Sequence, residues 1–510
     1  MKCENLMMSK IEDSPFAPIC NELAAAFDAA STTGKIEETR ELLEKAKSIL
    51  NNHDKPEYAP LFYSVGTSTT ILRDDLLRKS TAENPYTDSE VIKTHSLALW
   101  YFRHAEELLR QIEENEENCP YLTGIRMILY VNLGNALDFC GRKCSAMDYY
   151  CKATELHPFG MALGNIARAL EHYASLEGDG GHRAVLFREA YRYYLEAERA
   201  NDAYTYEEAK QGFAERRQHM EKYFGKENLS VQSELIPVEI ESEAEFAYRE
   251  WCLENRLFLN TLNDLPVPNE AFMLDVLQIT SITTEIAQYN PPFVFEMFNQ
   301  IKEEYIYARY LLFEVINPDG EVHFADKETH LEDILNYSSY SIRLEKLKTA
   351  YRTLFSIFDR TAFLLNSYLV LGIAEKKVNF DSIWDRLREK EGKNIALLAL
   401  HWIHRDFKER FGDADTPHTK LIKDLRNALE HKFVSVHMFS VEKEVEIGKD
   451  YIYRISEENL IRYSMDLLKL VREAIIELTI AIRIEEGWRN TDQKKVLHMS
   501  MTEYLDEYKI

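Results

Sequence analysis

Residues Tyr130 to Pro158, YVNLGNALDFCGRKCSAMDYYCKATELHP, carry the pattern that decides the fold. Gly134 and Ala146 are small residues, which allow two neighbouring helices to approach closely. Tyr150 supplies a large ring to fill the space between them, and Pro158 ends the second helix because it cannot continue the helical hydrogen bonds. The stretch therefore predicts two antiparallel helices in close contact.

The same stretch resembles a tetratricopeptide (TPR) unit at eight positions of one repeat length: Tyr130, Leu133, Gly134, Leu137, Ala146, Tyr150, Ala153 and Pro158. Less regular copies surround it: Ile36 to Leu50, Val65-Gly66 with Ala98, Phe102 and Ala105, Leu163-Gly164-Asn165, and Arg188 to Ala200. We expect three or four helical pairs, stacked as a solenoid and ending near Lys226.

Three regions are predicted along the chain: TPR-like repeats in 1–227, a mixed helical connector in 228–340 and a helical bundle in 341–510. Apolar periodicity predicts four helices in the bundle, at about 341–371, 394–411, 419–434 and 457–486. Two β-hairpins are expected, one around residues 317–320 and one within 442–454. The predicted fold class is all-α: a helical-repeat solenoid, then a four-helix bundle with a small β-hairpin insertion.

Composition indicates a cytoplasmic protein. Gly and Pro are scarce, at 18 and 14 of 510 residues, which favours helices over sheets. The seven cysteines have no CxxC spacing, as is usual for reduced thiols. Residues 1–10 are polar and no signal-like apolar stretch follows. The most apolar long segment, 467–484, carries five charged residues, so we expect a buried helix rather than a membrane span.

Charge is distributed unevenly. The net charge of −25 argues against a general nucleic-acid coat protein. Residues 341–437 nevertheless contain 18 Lys and Arg against 13 Asp and Glu, a net charge of +5. This contrast favours RNA binding at one site of an acidic protein, although ordinary scatter of charge remains an alternative.

The candidate chemical residues lie in the third helix of the bundle, in Arg426-Asn427-Ala428-Leu429-Glu430-His431-Lys432. Asn427 and His431 are four residues apart and share a helix face, away from the stripe of leucines. An imidazole can transfer a proton, an amide can orient it, and the Arg426 guanidinium can neutralise a phosphate. This set suits cleavage of a phosphodiester.

The spacing Arg-x4-His, with Asn directly after the Arg, resembles the motif of HEPN domains. The sequence FDRTAFLLNSYL in the first helix and YREWCLENRLFLNTLND in the connector extend the resemblance to a bacterial HEPN family with TPR-like repeats upstream. It implies metal-independent RNA cleavage in a composite cleft of a homodimer. His431 would be the acid or base, Arg426 the phosphate clamp and Asn427 the orienting residue, with Asp359 and Lys432 in support.

The resemblance further implies a protein or peptide bound to the repeat groove, no metal or other cofactor, and a role in antiphage defence or toxin-like growth arrest. Two alternatives stay open. A non-catalytic adaptor would use the bundle to dimerise and bind a protein or nucleotide partner, for example as a regulator of an enzyme. Structurally, Arg426 could simply pair with Glu430 and leave His431 exposed without a chemical role.

Overall fold

The computed structural model describes residues 16–82, 84–113, 120–202, 204–279, 281–285, 293–318, 320–333, 335–407, 410–411, 414–415, 417–439, 451–489, 496–499 and 504–509. Its contacts divide the chain into two compact units, Met1–Glu234 and Leu235–Ile510. Both consist mainly of helices, which confirms the predicted all-α class. The further division near residue 341 stays a prediction. No helix in the described ranges is long and apolar enough to cross a membrane.

The first unit is a series of helices that pack mainly against their neighbours in the chain, as in a helical repeat. The helices are α1 Pro18–Thr32, α2 Ile36–Leu50, α3 Ala59–Lys79, α4 Ser89–Glu113, α5 Pro120–Phe139, α6 Lys143–Leu156, α7 Gly160–Leu176, α8 Gly180–Arg199, α9 Glu207–Phe224 and α10 Lys226–Ser230. The predicted helix at residues 36–50 coincides with α2.

Glycines set the distance between paired helices, as the sequence predicts. A Cβ atom added at Gly134 on α5 would lie 2.5 Å from the ring of Tyr150 on α6. The equivalent atom at Gly66 on α3 would lie 2.8 Å from the ring of Phe102 on α4. Real Cβ atoms do not approach so closely, so each glycine makes room for the aromatic ring of its partner helix.

Residues at repeat-related positions also bond to each other. Asn135 and Asn165 each follow a Leu-Gly pair, and the Asn165 side chain donates a hydrogen bond to Oδ1 of Asn135 at 2.9 Å. The Tyr150 hydroxyl donates to the same oxygen, also at 2.9 Å. The bond between Asn165 and Asn135 is partly buried and links α7 to α5. The second asparagine thus continues the packing pattern of the first.

We expect Gly134→Ala to lower the free energy of unfolding by about 1–3 kcal/mol, because the Tyr150 ring is fully buried and has no room to move away. Gly124→Ala is the matched control on the same helix: its added Cβ meets nothing within 4 Å, so the better helix propensity of alanine should stabilise the protein slightly. Thermal unfolding of both variants checks this. Equal melting temperatures would contradict the packing argument.

In its described residues, the second unit combines seven α-helices with short strands. The helices are α11 Glu243–Glu254, α12 Phe293–Ile316, α13 Ile342–Tyr368, α14 Trp384–Glu391, α15 Ile395–Asp406, α16 Pro417–His431 and α17 Glu457–Trp488. The strands are β1 Ile282–Glu285, β2 Ser338–Ser339, β3 Arg410–Phe411, β4 Ala414–Asp415, β5 Phe433–His437, β6 Ile452–Ser456 and β7 Val496–Met499. Helix α17 is the longest and packs against α12, α13 and α15.

The four predicted bundle helices correspond to α13, α15, α16 and α17. The second is shorter than expected, since α15 ends at Asp406 and residues 410–411 form β3. Most of the hairpin predicted within 442–454 lies in 440–450, outside the described residues. Strand β6 pairs with β5 in parallel, with Phe433 opposite Ile452, and β2 pairs with β5 antiparallel.

The hairpin predicted around residues 317–320 is wrong. The apolar run 311–316, expected to be a strand, is the C-terminal end of α12. Its buried residues continue the helical spacing set by the start of that helix: Phe298, Ile301, Tyr305, Ala308, Leu312 and Val315. A short apolar run does not distinguish strand from helix, and here the longer period decides.

Buried arginines hold residues 257–279, which we term the clamped segment. The Arg309 guanidinium of α12 donates to both carboxylate oxygens of Asp275, at 2.9 and 2.6 Å, and to the Leu257 carbonyl at 2.9 Å. Burial alone would raise the pKa of Asp275, but Arg309 holds that pKa below its ordinary value. Such a bidentate pair fixes both position and orientation of the loop.

A second arginine, Arg472 of α17, binds the start of the same segment. It donates to Oδ1 of Asp264 at 2.7 Å and to the carbonyls of Phe258 and Asn260 at 2.6 and 2.9 Å. The side chains of Arg472 and Asp264 are only 3% and 2% exposed. The clamped segment has little regular secondary structure, and Arg472 adds a second donor to two carbonyls that already accept a backbone N–H within the segment.

Candidate functional site

Helix α16 is oriented by its apolar face. Ile422, Leu425 and Leu429 are buried at helical spacing. The Tyr351 hydroxyl of α13 donates a 2.6 Å hydrogen bond to the Ile422 carbonyl, and burial raises the pKa of that hydroxyl, so it keeps its proton. The helix is therefore held on its inner side, with Arg426 beside the buried face and Asn427 and His431 together on another face.

The structure brings Arg426 and Asn427 into direct contact. Nη1 of Arg426 donates a hydrogen bond to Oδ1 of Asn427 at 3.1 Å. The guanidinium carbon of Arg426 also lies 5.5 Å from the centre of the Phe355 ring on α13, within the range of a cation–π contact. Both side chains are half-buried. These contacts orient the guanidinium and leave its other N–H groups available for an anion.

His431 and Lys432 are exposed at the C-terminal end of α16. In the described part of the chain, neither side chain forms a hydrogen bond or an ion pair, and Arg426 does not pair with Glu430. The simple surface ion pair considered as an alternative is therefore replaced by the Arg426–Asn427 contact. The imidazole of His431 is free to meet a ligand from solvent.

Asp359 has a different local role from the one predicted. Its Oδ1 accepts a 2.9 Å hydrogen bond from the backbone N–H of Phe380, which fixes the chain beyond the end of α13. Among the described residues, no hydrogen bond or ion pair joins Asp359 to Arg426 or His431. A contribution of Asp359 to the site would thus act through the fold around α13 and α16.

Sequence reasoning missed two aromatic residues next to His431, because it assigned the aromatics to helix packing. The side chains of Phe433 and Tyr451 are 76% and 78% exposed. The backbone N–H of Phe433 donates to the Tyr451 carbonyl at 2.8 Å, so both lie where the parallel strands β5 and β6 begin. The sequence feature that could have predicted an aromatic residue near the motif is the position of Phe433 directly after His431-Lys432. Exposed rings beside cations suit stacking of unpaired bases.

In the part of the chain that the structure describes, neither metal ligands nor thiols indicate a second site. Among the described residues, no three His, Cys, Asp or Glu side chains are grouped so that they could hold a metal ion. Cys140 and Cys144, the closely spaced pair, are buried in the first unit. Their sulfur atoms lie 3.0 Å from Nε2 of His95 and 2.6 Å from the Tyr173 hydroxyl, respectively. The pair contributes to packing between helices.

A helical bundle with an Arg-Asn-x3-His motif at one helix end is the arrangement expected of a HEPN domain. Comparison with known families agrees: residues 286–485 match the family described as LA2681-like HEPN. The second unit therefore contains a HEPN-family domain, and all five predicted site residues fall within the matched range. No curated protein and no solved structure matches the chain.

Proposed function

We propose that this protein is a metal-independent endoribonuclease whose site contains Arg426, Asn427 and His431. HEPN domains are usually ribonucleases, and the matched range includes the motif. The observation that carries the proposal is the combination of an oriented guanidinium, held by Asn427 at 3.1 Å, with an exposed imidazole one helical turn away. These groups provide charge neutralisation and proton transfer at one end of the helix.

The proposed reaction uses the 2′-hydroxyl of the RNA as nucleophile. It loses its proton to a base and attacks the adjacent phosphorus, and the bond to the 5′-oxygen breaks as that oxygen gains a proton. The products are a 2′,3′-cyclic phosphate and a 5′-hydroxyl. His431 transfers the proton, and Arg426 stabilises the negative charge that builds on the phosphate oxygens. Lys432 adds positive charge at the same helix end.

We further propose that two copies of the chain form the complete site. One imidazole cannot both accept the first proton and donate the second at the same moment, and two copies supply a base and an acid. HEPN domains commonly bind RNA and dimerise. The exposed rings of Phe433 and Tyr451, beside His431, offer a surface for either the RNA or the second copy.

The helical repeats of the first unit are proposed to bind a protein or peptide that controls the nuclease. Stacked helical pairs present an extended surface, which suits recognition of a partner. Restraint of a ribonuclease by such a scaffold fits a role in defence against phage or in toxin-like growth arrest. This setting rests on the resemblance to bacterial proteins with the same order of repeats and HEPN domain.

The direct test is incubation of the purified chain with total RNA and tRNA in excess EDTA. We expect discrete fragments with 2′,3′-cyclic phosphate ends, because none of the proposed steps needs a metal ion. End chemistry is read by resistance to a phosphatase that removes only open 3′-phosphates. Cleavage that requires Mg²⁺ would contradict the metal-independent reaction. Intact RNA with a dimeric, folded sample would favour the non-catalytic adaptor.

A further inference from the structure

The first unit contains a cavity of about 450 Å³ that has no part in the proposed nuclease reaction. It is formed by the C-terminal halves of α7 and α9 with the adjoining ends of α5, α6 and α8. Pockets of roughly 300–1,000 Å³ are typical for small-molecule ligands. The size therefore fits a compact ligand of about the dimensions of a mononucleotide.

Two half-exposed arginines contribute to the polar part of this cavity. Arg168 pairs with Asp138 at 3.3 Å, and Arg216 pairs with Glu171 at 3.7 Å. The two arginine side chains are 46% and 55% exposed, whereas the two carboxylates are only 14% and 18% exposed. The carboxylates thus lie behind the guanidinium groups, and an incoming ligand meets the positive charges first.

Both ion pairs involve a residue of α7. Glu171 lies three residues after Arg168 on α7, so the partner of Arg216 is close to Arg168 along the same helix face. Lys143, which pairs with Asp138, adds a third cation to the lining. The surrounding unit is acidic, with 27 Lys and Arg against 38 Asp and Glu in residues 1–234. A local group of cations in an acidic unit favours the binding of an anion at this position.

Aromatic side chains provide the apolar part of the same cavity. The rings of Phe187 and Phe224 lie 4.5 Å apart, and Tyr223 is 78% exposed beside them. The imidazole of His172 also lines the cavity. Burial and the nearby Lys143 lower its pKa to about 4, so it is uncharged at neutral pH, and its buried Nδ1 has no hydrogen-bond partner among the described residues. The cavity thus offers planar surfaces and a neutral polar group beside the cations.

We propose that this cavity binds a nucleoside phosphate, with the phosphate on Arg168 and Arg216 and the base against Tyr223 and Phe224. Planar guanidinium forks match phosphate oxygens in pairs, and aromatic rings stack on any base. A free nucleotide and the terminal nucleotide of an RNA share this chemistry. The proposal is independent of the nuclease site, since every residue involved belongs to the first unit.

The test is calorimetric titration of the full-length protein with AMP, inorganic phosphate, adenosine and a 5′-phosphorylated DNA oligonucleotide, which the proposed nuclease reaction cannot cleave. We expect AMP to bind more tightly than phosphate or adenosine alone, because only AMP reaches both parts of the cavity. Arg168→Gln and Arg216→Gln should each weaken AMP binding by about tenfold or more. Relative affinities of AMP and the oligonucleotide identify which source the cavity prefers.

Arg40→Gln is the matched control. Arg40 is 45% exposed and pairs with Glu37 at 3.7 Å on α2, so it resembles Arg216 in exposure and pairing but does not line the cavity. AMP binding should be unchanged in this variant. All three variants should melt within a few degrees of the parent, since the altered side chains are exposed. Failure of AMP to bind, equal binding of inorganic phosphate, or equal binding in all three variants would overturn the proposal.

Discussion

His431→Ala is expected to reduce the rate of RNA cleavage by about 10²–10⁴-fold, the usual loss when a general acid or base is removed. The imidazole is exposed and, in the described chain, makes no hydrogen bond or ion pair, so its removal leaves the fold unchanged. The free energy of unfolding should change by less than about 0.5 kcal/mol. Initial rates on a labelled RNA, with thermal unfolding of the same samples, measure both quantities.

His157→Ala is the control for that result. His157 is another exposed histidine, located in the first unit just after α6, and its loss should leave the cleavage rate unchanged. If His431→Ala kept full activity, His431 would not be the proton-transfer group, even if the chain cleaved RNA. If activity and melting temperature fell together, His431 would have a structural role that its exposure does not suggest.

Arg472→Met is expected to lower the free energy of unfolding of the second unit by about 3–5 kcal/mol, the usual cost of removing one member of a buried ion pair. Methionine has a similar length but removes the cation that Arg472 places against the buried Asp264 and the hydrogen bonds that it donates to two carbonyls. Urea unfolding followed by tryptophan fluorescence suits the measurement. Trp251, Trp384, Trp402 and Trp488 belong to the second unit and only Trp100 to the first.

Two further variants separate charge from packing. Arg388→Met removes an arginine whose side chain is 77% exposed on α14, and should change stability by less than about 0.5 kcal/mol. Adding Asp264→Leu to Arg472→Met should recover part of the loss, because the uncompensated carboxylate is then gone. A loss that the second substitution leaves untouched would mean that the carbonyl contacts, rather than the ion pair, dominate.

Helices with a long apolar period could be predicted from the sequence. Residues 36–50 and the start of α17 at Glu457 agree with the prediction, because each has a regular buried stripe. Gly134 and its contact with Tyr150 were also predictable, since small and large residues alternate at repeat spacing. These features depend on neighbours within one repeat length, which a single sequence displays directly.

Contacts between distant residues could not be predicted. Arg472 and Asp264 are separated by 208 positions, and nothing in their local sequence pairs them. The parallel pairing of β5 with β6 could not be predicted either, because residue alternation within a strand does not show which strand it pairs with or in which direction. At the candidate site, the motif predicted Arg426, Asn427 and His431. The motif did not predict the side-chain contact between Arg426 and Asn427 or the exposure of the Phe433 ring, because both depend on the three-dimensional fold.

The clamped segment also bears on where this protein can be divided. The family match starts at residue 286, yet Arg309 and Arg472 lie inside the matched range and bind residues 257–275 outside it. A fragment limited to the matched range would keep both arginines, which are buried in the intact chain. It would lose the carboxylates of Asp275 and Asp264 with which they pair. A fragment that begins at Leu235, where the second compact unit starts, keeps both pairs. The family match and the compact structural unit thus begin at different residues of this chain.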